Sequence, residues 1–214
     1  SPYGQREPGL ISLADAAQRY DQAADELHQQ GVAARKAHLK EHPEDADGAP
    51  QVTDERPVVR VAGRVMLMRD SGKLVWMNLR DATNESFQVA VSKADCDEAG
   101  FGAAKATDLG DIIVAEGPLM KTRKGEVTLW ASGVRPGARC LVPPPTKHAG
   151  LTDQELRYRQ RYVDLWSNPE AARVFTLRSK VVAAMRAHLH SIGFMEVETP
   201  MLQSQAGGAA ARPF

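Results

Sequence analysis

From residue 58 onward the chain is written in short alternations of apolar and polar residues, interrupted at close intervals by turn-forming residues. Period two belongs to strands, because successive side chains leave opposite faces of an extended backbone. Residues 58–68, 74–80, 86–91, 112–120 and 126–134 each read this way. Asp70-Ser-Gly72, the stretch from Asp81 to Asn84, and Lys121-Thr-Arg-Lys-Gly125 supply the turns between them. Gly63, inside the first predicted strand, marks a bulge or bend. Residues 95–107, between the third and fourth strands, are rich in Ala and Gly and predict a short helix. Strands this short bury their apolar faces only by closing into a barrel or stacking as two sheets.

Five strands with a helix between the third and fourth is the order of the OB-fold barrel. A small sandwich shares the composition; strand count and helix position favour the barrel. The flanks are helical, which makes the class α+β. Ser12, with Asp15 three residues on, predicts the start of a helix over residues 13–30 that stops at Gly31. A weaker helix follows over 32–41, then an acidic linker over 42–50. Residues 136–146 form a stiff connector with three consecutive prolines, Pro143 to Pro145. Thr152-Asp-Gln-Glu155 has capping-box spacing and opens a helix through Tyr162 and Leu165. Asn168-Pro169-Glu170 begins another, with Val174, Leu177, Val181, Val182, Met185 and Leu189 along one face and Gly193 at its end. Residues 194–199 alternate toward a strand that stops at Pro200. The predicted organisation is a helical segment and linker over 1–56, the barrel over 57–142, and a third part over 143–214.

Charge narrows the function classes. The chain carries 27 basic and 27 acidic residues, so no bulk field draws a polyanion to it. The distribution is uneven. Residues 1–56 hold 6 Lys/Arg against 11 Asp/Glu, residues 57–142 hold 12 against 10, and residues 143–214 hold 9 against 6. A polyanion would meet the middle and end of the chain, through specific contacts. The first ten residues are polar and no apolar run approaches a membrane span. Cys96 and Cys140 lie far apart without metal-ligand spacing, as expected of reduced thiols in a cytoplasmic protein.

One residue breaks the strand pattern. Over 74–80, alternation sends Val75, Met77 and Leu79 to the core and Trp76 outward, with Asn78 and Arg80. In the next strand Phe87, Val89 and Val91 face inward and Gln88 outward. An exposed aromatic ring flanked by hydrogen-bonding groups suits an unpaired base, which stacks on the ring while its edge is read. The plainer alternative is a Trp covered by the N-terminal segment or a neighbouring domain. Lys121, Arg123 and Lys124 make a basic hairpin tip, which in most proteins is simply solvated. Arg157, Arg159 and Arg161 do not share one helix face and suit ion pairs. No complete catalytic set is present: there is no Walker loop, no GxGxxG and no metal-ligand histidine spacing.

Four stretches resemble class II lysyl-tRNA synthetases. They are Val61-Ala-Gly-Arg64 with Gly72-Lys73; Leu109-Gly-Asp111 through Glu116-Gly117 to Lys121-Thr-Arg-Lys-Gly-Glu126; His148 through Glu155 into the Arg157 to Leu165 run; and Gly193-Phe-Met-Glu-Val-Glu-Thr-Pro200 ending in Gly207-Gly-Ala-Ala-Ala-Arg-Pro-Phe214. The resemblance implies a barrel that grips the tRNA anticodon, followed by the helical start of a class II catalytic domain. It places Trp76 where an aromatic, usually Phe, stacks on an anticodon base, with Arg69, Gln88 and Glu126 beside it. It makes Gly193, Phe194, Val197 and Pro200 part of motif 1, the dimer interface, and puts Gly207, Gly208 and Ala209 in a loop beside the lysine pocket.

For the complete family enzyme the resemblance implies ATP and Mg²⁺ as cofactors, tRNA-Lys as substrate and a homodimer. The residues of motifs 2 and 3 that hold ATP would follow Phe214, so residues 1–214 alone are expected to be inactive, with no catalytic residue and no metal. The alternative reading is a stand-alone, catalytically inert module that binds tRNA or single-stranded nucleic acid.

Overall fold

The computed structural model describes residues 7–45, 47–142, 144–145 and 151–200. The chain divides into two compact units, residues 1–144 and 145–214.

The first unit is built on β1 (Val58–Asp70), β2 (Leu74–Arg80), β3 (Phe87–Ser92), β4 (Ile112–Lys121), β5 (Val127–Ala131) and β6 (Gly133–Ala138). β1, β2 and β3 form an antiparallel meander. β5 joins β3 in parallel and pairs antiparallel with β4, and β4 pairs back onto β1. That last pairing closes the barrel, while β6 pairs with β4 alone. β1 makes closure possible by serving two partners. Val58 to Arg64 pair with β4, and Arg64 to Asp70 pair with β2. The register slips between Val65 and Leu67, so the bulge falls at Met66 rather than at Gly63. Gly63 instead permits close packing: a Cβ there would stand 2.9 Å from Leu79 Cβ.

The single strand expected over 126–134 is bent at Ser132 into β5 and β6, which take opposite ends of β4. Ser132 N still donates to Glu116 O at 2.8 Å, so the ladder passes the bend. The bend brings the Trp130 carbonyl against Gly117, where a Cβ would lie 2.1 Å from the oxygen. Together β5 and β6 are the fifth strand of the barrel.

Inward residues of every strand make one core. Val61, Val65, Val75, Met77, Leu79, Val89, Val91, Leu119 and Leu129 are fully buried. Each contributes about 1.5–3 kcal/mol relative to exposure. The helix α3 (Glu98–Lys105), capped by Asp97 accepting from Gly100 N at 2.6 Å, adds Ala104 and the edge of Phe101.

The N-terminal helix is two helices. α1 (Leu13–Gln18) starts at Ser12 as expected, with Ser12 Oγ accepting from Asp15 N at 3.1 Å. α2 (Gln22–Glu41) starts at Asp21, whose carboxylate accepts from Ala23 and Ala24 N. That second cap ends the expected long helix early, while Gly31 lies inside α2 rather than ending it. Val52 packs at Gly31, where a Cβ would be 3.3 Å from Val52 Cγ1. α1 inserts Leu13 and Ala16 into the barrel core and is tied to the turn after β2 by Leu13 N donating to Asp81 Oδ2 at 2.9 Å. Burial would raise the Asp81 pKa, but the donors Leu13 N, Thr83 and Asn84 N outweigh it and hold the carboxyl below its ordinary range.

α2 is fastened by Asp25, which is buried. Its Oδ2 accepts from Lys121 N at 2.8 Å and from the Tyr20 hydroxyl at 2.9 Å.

The second unit holds α4 (Gln154–Arg159), α5 (Arg161–Ser167) and α6 (Pro169–Ser191). The cap is Asp153, accepting from Leu156 N at 2.9 Å, one residue later than the expected Thr152. The expected continuous helix breaks at Gln160 (φ −113°, ψ 53°). Asp164, fully buried, gathers Arg157 and Arg161, while Arg159 pairs with Glu155 along the helix. Asn168 caps α6 with Pro169 in its first turn. Gly193 (φ +92°) ends the helix in a Schellman motif: Phe194 N donates to Leu189 O and Gly193 N to His190 O. Residues 194–199 adopt no strand, although their alternation predicts one. Val174, Leu177, Val181 and Met185 on α6, with Phe194 and Val197 beyond it, are exposed.

Candidate nucleic-acid interface

The outward face of β2, β3 and β5 collects two cross-strand rows. Registers place Trp76, Ala90 and Trp130 in one row and Asn78, Gln88 and Thr128 in the next. The inward neighbours Val75, Met77, Leu79, Val89 and Leu129 are core, so alternation fixes these side chains on the opposite face. Ala90 between the two tryptophans is the reason their rings meet: centroids 6.2 Å apart, planes at 81°. Trp130 is held in place by its indole N–H donating to Asp95 Oδ2 at 2.9 Å. Arg69, exposed at the end of β1, lies opposite Trp76, its guanidinium carbon 6.0 Å from the ring centroid. That is the outer limit of a cation–π contact.

The polar row is wired. Gln88 Nε2 donates to Glu126 Oε2 at 2.9 Å, and Gln88 Oε1 accepts from Thr128 Oγ1 at 2.8 Å. A carboxylate only accepts, so the Gln88 amide nitrogen must face Glu126, and its orientation is fixed. Asn78 donates to Ser86 Oγ at 2.9 Å. Arg80, further along β2, is half-buried, and burial draws its guanidinium below the ordinary value.

The face therefore brings together Arg69, Trp76, Gln88 and Glu126, and adds Thr128, Trp130 and Asp95. The added residues carry a signal in the sequence. Over 127–131, Val127, Leu129 and Ala131 alternate with Thr128 and Trp130, the same pattern that singles out Trp76. Lys121 stands 5.4 Å from the Tyr20 ring at the hairpin base, while Arg123 and Lys124 are exposed at its tip.

Gly193, Phe194, Val197 and Pro200 follow α6 and are exposed. Gly207, Gly208 and Ala209 lie outside the described residues. Among the described residues, no three His, Cys, Asp or Glu side chains are placed to hold a metal ion. Cys96 is buried and unpaired, and Cys140 is partly exposed and unpaired. Among the described residues no helix is long and apolar enough to cross a membrane.

Comparison with known proteins agrees with this geometry. Residues 59–136 match an OB-fold nucleic acid binding domain, the tRNA anticodon family, and residues 153–214 match the class II tRNA synthetases for D, K and N. A lysine–tRNA ligase of Dehalococcoides mccartyi is 48% identical over 164 residues, covering 77% of this chain and 33% of that protein. Those of Actinobacillus succinogenes and Haemophilus influenzae are 44% and 45% identical, over 81% and 86% of this chain and 34% and 36% of theirs. Spanning about a third of the length of these curated relatives, the chain belongs to the class II lysyl-tRNA synthetase family and covers its anticodon-binding barrel and the start of its catalytic domain.

Proposed function

We propose that the Trp76 face grips the anticodon loop of tRNA-Lys, within a protein that uses ATP and Mg²⁺ to join lysine to that tRNA in the cytoplasm. The observation that carries the reading is the pairing of an outward aromatic ring with a fixed hydrogen-bonding row on the same barrel surface. Trp76 stacks on an unpaired base, which needs no sequence information. The Gln88–Glu126 pair supplies the reading. Gln88 has a second amide hydrogen to donate, and Glu126 has a second carboxylate oxygen to accept. A donor beside an acceptor complements a base edge with a carbonyl next to an N–H, as in uracil or guanine. Thr128 keeps the amide from rotating, so the pattern is preorganised. Arg69 supports the loop backbone or the stacked base.

In the same reading Gly193, Phe194, Val197 and Pro200 belong to a homodimer interface. The exposed apolar face of α6 supports this, since monomers rarely leave so continuous a stripe uncovered. By the family resemblance alone, Gly207, Gly208 and Ala209 are assigned to the lysine-binding loop. The test is the affinity of the chain for a lysine tRNA anticodon stem–loop, against the same stem closed by an unrelated loop. Tighter binding of the first supports the reading; equal binding of both overturns it.

A further inference from the structure

Trp130 lies on the same face as Trp76, but it also walls a groove of about 760 Å³ between α2 and the barrel. The groove is lined by His28, Val32 and Lys36 of α2, by Asp54 and Arg56 of the following segment, and by Pro118, Met120 and Trp130 of the barrel. Its volume falls in the range of pockets that bury small ligands, ~300–1,000 Å³. Its charges are not equivalent. Arg56 is committed to Asp54 through two hydrogen bonds, at 2.8 and 2.7 Å, and His28 Nε2 lies 3.8 Å from the same carboxylate. Lys36 forms no ion pair among the described residues and is the cation left to the groove. Asp95 uses one oxygen to hold the Trp130 indole.

We propose that this groove is a second base subsite: the unpaired nucleotide next to the one on Trp76 turns into it, stacks on Trp130, and sets its phosphate near Lys36. This rests on the reading of the Trp76 face as the anticodon interface. The right angle between the two rings decides the geometry. Bases stacked on Trp76 and Trp130 cannot be parallel to each other, so the strand must splay its neighbouring bases apart, which unpaired RNA loops do when bases are read singly. Continuity supports the choice of occupant. The two rings are 6.2 Å apart in one row of the sheet, and the groove begins where that row ends.

The test scans an RNA stem–loop with an abasic residue at each loop position in turn, against the full chain and its variants. With the unaltered chain, two neighbouring positions are expected to weaken binding roughly tenfold or more each. Trp130→Ala should remove the penalty at one position only, and Trp76→Ala at the other. Trp130→Phe should keep both, which separates lost stacking from misfolding. Lys36→Ala, an exposed-helix change, should lower the salt dependence of binding by about one counterion. If Trp130→Ala weakens binding while leaving both abasic penalties in place, Trp130 merely buttresses Trp76 and the subsite is overturned. An unchanged salt dependence in Lys36→Ala also counts against it. If no loop position matters to the unaltered chain, the anticodon reading fails, and the subsite with it.

Discussion

Gln88 and Glu126, 38 residues apart in sequence, share a hydrogen bond of 2.9 Å that joins β3 to the hairpin leading into β5. The bond uses one Gln88 amide hydrogen and one Glu126 oxygen, so each side chain keeps a second group able to bond a ligand. Glu126→Gln keeps the size and removes the charge. It should cost binding of a cognate loop about 1.5–3 kcal/mol, the range for a hydrogen bond to a charged group. Competition between loops differing in a single base is the measurement; the loss should be largest for the base preferred by the unaltered chain.

The Asp25 carboxylate ties α2 to the start of the hairpin. In Asp25→Ala the Lys121 N–H and Tyr20 hydroxyl lose their acceptor, which should destabilise the first unit by about 1–3 kcal/mol in urea titration. Partial burial, then the hydrogen bond to Asp25 and its charge, push the Tyr20 phenol up to about 12. The folded value lies above the unfolded one, so the neutral phenol's contribution is complete below about pH 10. It is lost as pH rises from there through about 12. In an ultraviolet titration one tyrosine should ionise late, and Asp25→Ala should bring it back toward the ordinary range.

Gly117 faces the Trp130 carbonyl where no Cβ fits, with 2.1 Å available. Gly117→Ala must push β4 from the bend at Ser132. We expect a loss of about 1–3 kcal/mol, typical of forced overpacking. Thermal unfolding checks it; an unchanged midpoint would show that the bend relaxes freely.

Alternation made most of the barrel legible. Trp76 was visible because its neighbours Val75 and Met77 are unmistakably core. Trp130 was as legible but is found only when the same rule is applied beyond the basic turn. The bend at Ser132 was hidden, since both halves have strand composition and only pairing with β4 divides them. The break before α2 depends on Asp21 winning as a cap over continued helix, a competition that apolar spacing does not record. The segment after Gly193 alternates like a strand, yet a strand exists only where a partner accepts its hydrogen bonds.

Lysine-dependent exchange of pyrophosphate into ATP tests the chemical assignment. Residues 1–214 alone should show none, because they match about a third of the length of the curated lysine–tRNA ligases and carry only the start of the class II catalytic domain. Exchange above background would place the ATP-handling residues within this stretch and contradict the proposed division of labour.

The affinity of the chain for the lysine anticodon stem–loop, measured side by side with Trp76→Ala and Trp76→Phe, decides whether the Trp76 ring stacks on an anticodon base. Removing the ring should cost ~1–3 kcal/mol, the worth of one stacked base, while Phe should retain most of the binding. Equal affinity for all three proteins would contradict the stacking role and with it the assignment of this face to the anticodon.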